Sequence, residues 1–299
     1  MAWYVPVFLR VLVANVIHPS VSKHVVMKHS LQKRHLLNFS FCSLVAISIA
    51  AACGQLSLTT TTLFIFCVGV ANGWAAYCQW KALGISLSRN SLFTFWDDII
   101  AMSLSYYLLN EGQFLNFQGK LGIILSVAAV TLFAFRDYCR KEGAGDKVPS
   151  RFYFYVGLYS VIWGVATFLM RKWGVEKVSI STFLASWYTG GCFGSLSMFL
   201  CFKKFYPSSG SNSPFTRKDF GFVVIMGSSM MAALAMAYLS YERAPQTIVQ
   251  PIFLVAEMAL PALIGLFVFS ERKGFKFTDW CLIAIGIAGG VLAGLSYRS

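Results

Sequence analysis

The chain alternates between ten long apolar runs and short polar stretches. A helix needs about 20 mostly apolar residues to cross a lipid bilayer. By that measure the pattern predicts ten membrane-spanning helices, and therefore an all-α polytopic membrane protein. They lie near residues 2–22, 36–55, 61–83, 87–110, 118–136, 152–172, 180–202, 220–241, 247–270 and 278–296.

The first apolar run is the one that could be mistaken for a signal peptide. It has no basic leader and no small-residue cleavage site, and Arg10 interrupts it. We therefore interpret it as a helix of the mature protein.

The polar stretches divide the runs into two equal groups. The two longest stretches, 137–151 and 207–218, are rich in Gly, Ser, Pro and charge, a composition typical of solvated loops. The first lies at the middle of the chain with five runs on each side. The prediction is a five-helix unit over 1–137, a basic connecting loop over 138–151, and a second five-helix unit over 152–299.

Acidic residues recur at a fixed offset in the two halves. Glu111 ends the fourth run and Glu271 ends the ninth, 160 positions later. The same offset aligns Asp97 with Glu257, so each half carries an acid in the middle of its fourth helix. We expect Glu111 and Glu271 to be interfacial or structural.

A second alignment, near the start of each half, places Asn15 on Gly164 at an offset of 149. The long loop 207–218 can absorb the difference between the two offsets. Together the alignments predict duplication of a five-helix unit. Because five is odd, the second copy would enter the membrane from the opposite face, and such inverted repeats commonly build transporters.

The composition excludes a soluble globule. Charged residues make up 12% of the chain and hydrophobic residues 57%, whereas soluble domains carry roughly 25% charged residues. The net charge of +13 lies in loops between apolar runs, as expected of a membrane protein, and nucleic acid is not an expected partner. The loops after odd-numbered runs hold 18 Lys and Arg, against six on the other side, which would place the former in the cytoplasm and both termini outside.

Two corresponding segments carry a family resemblance. The first is AAYCQWKALGISLSRNSLFTFWDDIIAMSLSYYLLNEG and the second is AMAYLSYERAPQTIVQPIFLVAEMALPALIGLFVFSER. In each, an aromatic-rich helix end precedes a short polar turn, a long apolar helix and a Glu. The chain resembles the EamA-like branch of the drug/metabolite transporter (DMT) superfamily over nearly its whole length.

That resemblance implies ten helices in two inverted repeats and secondary transport, with substrates that range over amino acids, sugars, nucleotide-sugars and drugs. The ninth run has the prolines common in the family, Pro251 and Pro261, whereas the fourth has Trp96-Asp97-Asp98 instead. Relatives generally have both termini in the cytoplasm. This conflicts with the charge bias, so we predict only that both ends share a side.

Five ionisable residues fall within apolar runs: Arg10, His18, Asp97, Asp98 and Glu257. A charge near the bilayer centre costs roughly 2.5–3.5 kcal/mol on insertion scales, so each needs a partner, a cavity or a function. Crowded carboxylates in a low-dielectric cavity are suited to take up and release protons. Alternatively the acids could bind an amine or another cation, or Arg10 could neutralise one of them in a structural pair.

A second group of candidates is polar or aromatic. Asn15, Asn72, Trp74, Trp163 and Gln250 lie within predicted helices. Flat faces for stacking and a few amide partners are what a carrier of polar organic solutes needs. The alternative is structural, since aromatic residues also gather in belts at membrane interfaces and amides join helices.

We therefore expect a secondary active transporter that moves a small metabolite by alternating access, with protons as the candidate coupling ion, in the cell (inner) membrane. An intramembrane enzyme and a membrane scaffold or receptor are the alternatives. No HExxH, Walker A, GxSxG or CxxC pattern is present, so we expect no metal or other cofactor. The oligomeric state is left open.

Overall fold

The computed structural model describes residues 2–27, 31–85, 90, 93–139, 149–175, 177–205, 216–268 and 276–297. Within these residues ten helices form a bundle. The first helix, α1, consists of three consecutive segments: Tyr4–Leu12, the π-helical segment Val13–Ile17, and His18–Met27. The others are α2 (Leu31–Ala52), α3 (Thr60–Ile85), α4 (Trp96–Leu108), α5 (Phe117–Cys139), α6 (Ser150–Leu169, continued by a π-helical segment Met170–Gly174), α7 (Ile180–Phe205), α8 (Arg217–Arg243), α9 (Gln246–Phe267) and α10 (Phe277–Ser296).

Seven of the described helices are long and apolar enough to cross a membrane. An α-helix satisfies its backbone hydrogen bonds internally, which is what the hydrocarbon region demands. The expected all-α class is confirmed, and these seven helices indicate an integral membrane protein. Glu271 and most of the predicted loop 138–151 lie outside the described residues.

The fourth apolar run, predicted as a span over 87–110, contains a break close to its two aspartates. Among its described residues Asn90 and Phe93 are helical, Thr94 and Phe95 form a turn, and α4 begins at Trp96 with Asp97 and Asp98 in its first turn. The first turn of a helix has free N–H groups and the positive end of the helix dipole. The backbone N–H of Asp98 donates to Oδ1 of Asp97 at 2.7 Å, so this turn accommodates acids better than a helix interior would.

Close backbone approaches hold two helix pairs together. An added Cβ on Gly73 of α3 would lie 2.7 Å from the carbonyl oxygen of Gly191 on α7. On Gly122 of α5 it would lie 2.6 Å from the carbonyl oxygen of Gly289 on α10. Small residues are typical where membrane helices pack at short range.

The two ends of the chain meet at one side of the bundle. The rings of Trp3 and Tyr297 are in contact at 5.9 Å between centroids. We call this side the terminal face. The connection after α4 also lies there, because Nδ2 of Asn116 donates to the carbonyl oxygen of Ser296 at 3.4 Å. The end of α6 meets this connection through the contact of Arg171 with Glu111.

Candidate functional site

A cavity of about 150 Å³ lies among α1, α3, α6, α7, α8 and α9. Its polar lining includes Arg10, Asn15, His18, Asn72, Asn90, Gln250 and Glu257. Its aromatic lining is formed by Trp80, Tyr159, Trp163, Trp187, Tyr188 and Tyr241. A cavity needs a volume of about 10–15 Å³ to hold one water molecule. This cavity therefore has room for a solute of roughly ten non-hydrogen atoms.

Seven of the ten predicted site residues line this cavity: Arg10, Asn15, His18, Asn72, Trp163, Gln250 and Glu257. They come from α1, α3, α6 and α9, so the fold gathers residues from both halves of the chain around one space. Asp97 and Asp98 do not line it and are 1% and 2% exposed. They lie behind Glu257.

Trp74, like the two aspartates, does not line the cavity. It is 40% exposed, and its Nε1 donates to the hydroxyl of Ser197 on α7 at 3.1 Å. Positions two residues apart are separated by about 200° around a helix, so Trp74 points away from the cavity that Asn72 lines. The structure therefore places Trp74 on the outer side of α3.

Arg10 and Glu257 form an ion pair at the cavity wall. The guanidinium Nη2 of Arg10 donates to Oε1 of Glu257. The same guanidinium lies over the ring of Phe253 at 3.9 Å from the centroid, a cation–π contact that favours keeping the cation charged. This is the pair that the structural alternative expected.

The acids outnumber their counter-ion. Oxygen atoms of Asp97, Asp98 and Glu257 all lie within 4.8 Å of one another. We call these three residues the acid cluster. Within the described part of the chain, Arg10 supplies the guanidinium beside the acid cluster, so three carboxyl groups share one positive charge. A buried unpaired carboxylate is costly, and such groups keep protons instead.

The acid cluster also has the ligand atoms that a metal ion would need. Three carboxylate oxygens at this spacing could bridge one cation. However, Arg10 already supplies a positive charge beside Glu257, so a cation bound here would be repelled by a guanidinium.

A chain of hydrogen bonds holds Asp98 in place. The Tyr241 hydroxyl donates to Oε1 of Gln250 at 2.6 Å, and Nε2 of Gln250 donates to Oδ1 of Asp98. The tyrosine fixes the orientation of the amide, because the amide oxygen is then the acceptor and the amide nitrogen must face the acid.

Several buried polar atoms around the cavity have no hydrogen-bond partner within the described region. On α1 these are donors, Nη1 of Arg10 and Nδ2 of Asn15, and elsewhere in the lining they are acceptors, Oδ1 of Asn72 and Oδ1 of Asn90. Buried polar groups are normally paired. A bound solute could supply partners for both the donors and the acceptors.

Aromatic rings form the surface between the polar walls. Tyr159 and Trp163 stack with centroids 6.2 Å apart and planes at 13°. Trp187 meets Trp163 edge-on at 5.9 Å. Such stacked and edge-on pairs are rigid apolar surfaces against which a flat solute can pack.

Sequence reasoning missed Asn90, which is 4% exposed and lines the cavity. The repeat contained the signal for it. At the offset of 160 that aligns Asp97 with Glu257, Asn90 aligns with Gln250, so a search for polar residues at equivalent positions would have found it.

No family model matches the chain, and no curated protein matches it. Among solved structures, 28 chains match. One crystal structure of a protein is 15% identical and covers 99% of this chain and 97% of its own, with a TM-score of 0.70. At this identity the likeness shows the fold alone. The class defined by fold and helix composition is thus a helical integral membrane protein with an internal polar cavity.

Proposed function

We propose that this protein is a secondary carrier that moves a small organic solute across the cell membrane by alternating access. The observation that carries the proposal is the cavity, which lies inside a bundle of membrane-length helices and is lined by side chains from both halves of the chain. Carriers bind their solutes at such junctions and expose them to one side at a time.

Symmetric contacts between α2 and α7 support an internal repeat. The hydroxyls of Ser43 and Thr189 lie 3.2 Å apart, and that of Ser40 lies 3.5 Å from the sulfur of Cys192. At the offset of 149, Ser43 corresponds to Cys192 and Ser40 to Thr189. Each contact is therefore the twofold mate of the other.

Two further contacts fall where a twofold axis would place them. The hydroxyl of Ser126 on α5 donates to the carbonyl of Gly286 on α10, and the two residues are 160 positions apart. Asp97 and Glu257 have the same separation and lie within 4.8 Å. Between inverted repeats, a residue close to the twofold axis is expected to lie beside the equivalent residue of the other repeat. Inverted repeats allow the two units to rock around a central site.

This proposal includes the EamA-like branch of the DMT superfamily and the cell (inner) membrane as the place of action. Both rest on the resemblance in sequence and on the composition of the helices. Protons are the proposed coupling ion because the acid cluster has three carboxyl groups and one guanidinium. An intramembrane enzyme is the alternative, and it would form product without net flux.

The test combines a ligand screen with a flux measurement. A thermal-shift screen of amino acids, sugars and organic acids on the purified protein identifies a solute that stabilises it by mass action. Uptake of that solute, labelled, into proteoliposomes is then measured with and without a pH gradient. We expect saturable uptake that a gradient accelerates; binding without flux under either condition would contradict a carrier.

A matched pair of variants on α3 localises the pathway. Ala76 lines the cavity, whereas Ala71 is exposed on the outer side of the same helix. Ala76→Phe should fill part of the cavity and abolish uptake, and Ala71→Phe should leave uptake at the wild-type rate. Equal uptake by both variants would show that solute does not pass through this cavity.

A further inference from the structure

We propose that the cavity binds its solute through a carboxylate group that takes Arg10 from Glu257, and that one proton enters the acid cluster with each carboxylate bound. The inference rests on the proposed carrier function and names its substrate class. The structure supplies a donor site, a charge requirement and a size limit, and each supports the proposal separately.

The donor site lies on α1. Arg10 and Asn15 are 8% and 2% exposed, both line the cavity, and Nη1 of Arg10 and Nδ2 of Asn15 lack a partner within the described region. Asn15 belongs to the π-helical segment Val13–Ile17. Two unpartnered donors on one wall, one of them cationic, call for an anionic acceptor. A carboxylate matches a guanidinium because two parallel N–H donors can bind it.

The cluster's charge links the carboxylate to a proton. With Arg10 paired to Glu257, three carboxyl groups and one guanidinium are neutral when the cluster holds two protons. A bound carboxylate adds one negative charge at the same guanidinium. Neutrality then requires a third proton, and leaving a buried carboxylate without one is costly. The expected stoichiometry is one proton per carboxylate, with no net charge moved.

Binding of a solute carboxylate requires the ion pair between Arg10 and Glu257 to break. Several charged and titratable groups surround Glu257. Its charged and titratable neighbours are Arg10 from α1, Asp97 and Asp98 from α4, Tyr159 from α6 and Tyr241 from α8. Arg136 of α5 and Asp279 of α10 are paired with each other at 3.5 Å. His18, further along the cavity, is hydrogen-bonded to Ser229 at 3.1 Å. Because the three acids interact closely, the proton belongs to the cluster as a whole.

The remaining lining selects the body of the solute. The aromatic surface of Trp163 and Tyr159 favours a flat apolar group, and a volume of about 150 Å³ limits it to a small molecule. Oδ1 of Asn72 and Oδ1 of Asn90 lack a partner within the described region and would accept hydrogen bonds from a donor on the solute. A small monocarboxylate with an unsaturated or aromatic body and a hydrogen-bond donor matches these groups, and benzoate is its simplest analogue without the donor.

Three probes that share one ring separate the possible charges. Benzoate, benzyl alcohol and benzylamine are titrated into the purified protein in detergent, and binding is followed by quenching of tryptophan fluorescence. We expect saturable binding of benzoate at millimolar concentrations and much weaker binding of the other two. Preference for benzylamine would overturn the carboxylate assignment, and so would failure of all three to bind.

Proton uptake is measured in the same titration with a pH dye in weakly buffered solution. We expect about one proton to be taken up per benzoate bound. The affinity for benzoate should then fall about tenfold for each unit by which the pH rises, over the range where uptake occurs. Binding with no proton uptake, and with affinity independent of pH, would overturn the coupling.

Two variants locate the proton in the acid cluster. Glu257→Gln leaves Asp97 and Asp98, one of which is ionised beside Arg10, so it should still take up about one proton per benzoate bound. The triple variant Asp97→Asn, Asp98→Asn and Glu257→Gln has no carboxyl group left in the cluster and should bind benzoate with little dependence on pH and without proton uptake. Glu111→Gln changes an acid outside the cavity and should keep both the binding and the uptake of the wild-type protein. Undiminished proton uptake by the triple variant would contradict the acid cluster as the place where the proton enters.

Failure of the carrier proposal gives a different result. If benzoate binds with proton uptake but no carboxylate crosses proteoliposome membranes, the proposed carrier function is wrong, whereas the proposed carboxylate-binding site is supported. If a labelled solute is carried and benzoate neither binds nor competes, the carrier stands and the substrate class is wrong.

Discussion

Within the described residues, two arginine–glutamate pairs share the same chemistry but have different surroundings. At the terminal face, Nε of Arg171 donates to Oε1 of Glu111 at 3.2 Å, and the backbone N–H of Thr247 donates to Oε2 at 2.9 Å. Both oxygens of this glutamate are bonded, and the contacts join the end of α6 to the start of α9. In the cavity, Arg10 is paired to Glu257, but its Nη1 has no partner among the residues that the structure describes.

The difference lies in the supply of counter-charge. Glu111 is 2% exposed and is held by one arginine and one backbone donor, so both partners are needed where they are. Arg10 has two further carboxyl groups within the acid cluster beside Glu257. Arg10 can therefore exchange one carboxylate partner for another, whereas the Arg171–Glu111 pair is needed to hold its helices together. The following predictions test that distinction.

The largest expected effect is on stability at the terminal face. Glu111→Ala removes a charged acceptor from Arg171 and from the N–H of Thr247. Breaking a buried pair of this kind costs roughly 3 kcal/mol, and we expect the free energy of unfolding in detergent to fall by about that amount. Solute binding per folded molecule should be unchanged. A loss of stability below roughly 1 kcal/mol would remove the contrast between the pairs.

The sequence predicted the architecture better than the placement of individual side chains. Apolar runs of membrane length determine where helices lie, and the acids within them are costly enough to mark a site. This is why Arg10 and Glu257 were found. Which face of a helix points inward depends on packing, and so the apolar run alone does not show that Trp74 lies on the outer side of α3. The start of α4 at Trp96 likewise depends on contacts that the hydropathy of the run does not encode.

The second prediction concerns the guanidinium itself. Arg10→Gln removes the cation that faces the cavity. Hydrogen bonds to charged groups contribute about 1.5–3 kcal/mol, so the affinity for benzoate should fall about 10–100-fold. The measurement is the fluorescence titration at fixed pH, and Arg171→Gln is the control that should retain wild-type affinity. Equal affinity in the wild type and Arg10→Gln would exclude Arg10 as the binding group.

The third prediction concerns the chain of hydrogen bonds behind the cavity wall. Tyr241→Phe removes the hydroxyl that orients Gln250, and one such bond contributes about 1 kcal/mol. We expect the free energy of unfolding to fall by about that amount. Proton uptake should persist, because the acid cluster keeps its three carboxyl groups and Arg10. Loss of uptake in this variant would instead make the tyrosine part of the proton pathway.

The smallest expected effect is the stability change in Glu257→Gln. If this pair were a structural link like the one at Glu111, removing its acid would leave a buried guanidinium uncompensated, at a cost of several kcal/mol. Because Asp97 and Asp98 lie within the same cluster, one of them can release its proton and neutralise Arg10. We therefore expect a change in the free energy of unfolding of less than about 1 kcal/mol. Replacing both remaining acids as well, in the triple variant Asp97→Asn, Asp98→Asn and Glu257→Gln, removes that reserve and should restore the full penalty. A single Glu257→Gln variant as unstable as the triple one would show that the two aspartates supply no counter-charge to Arg10.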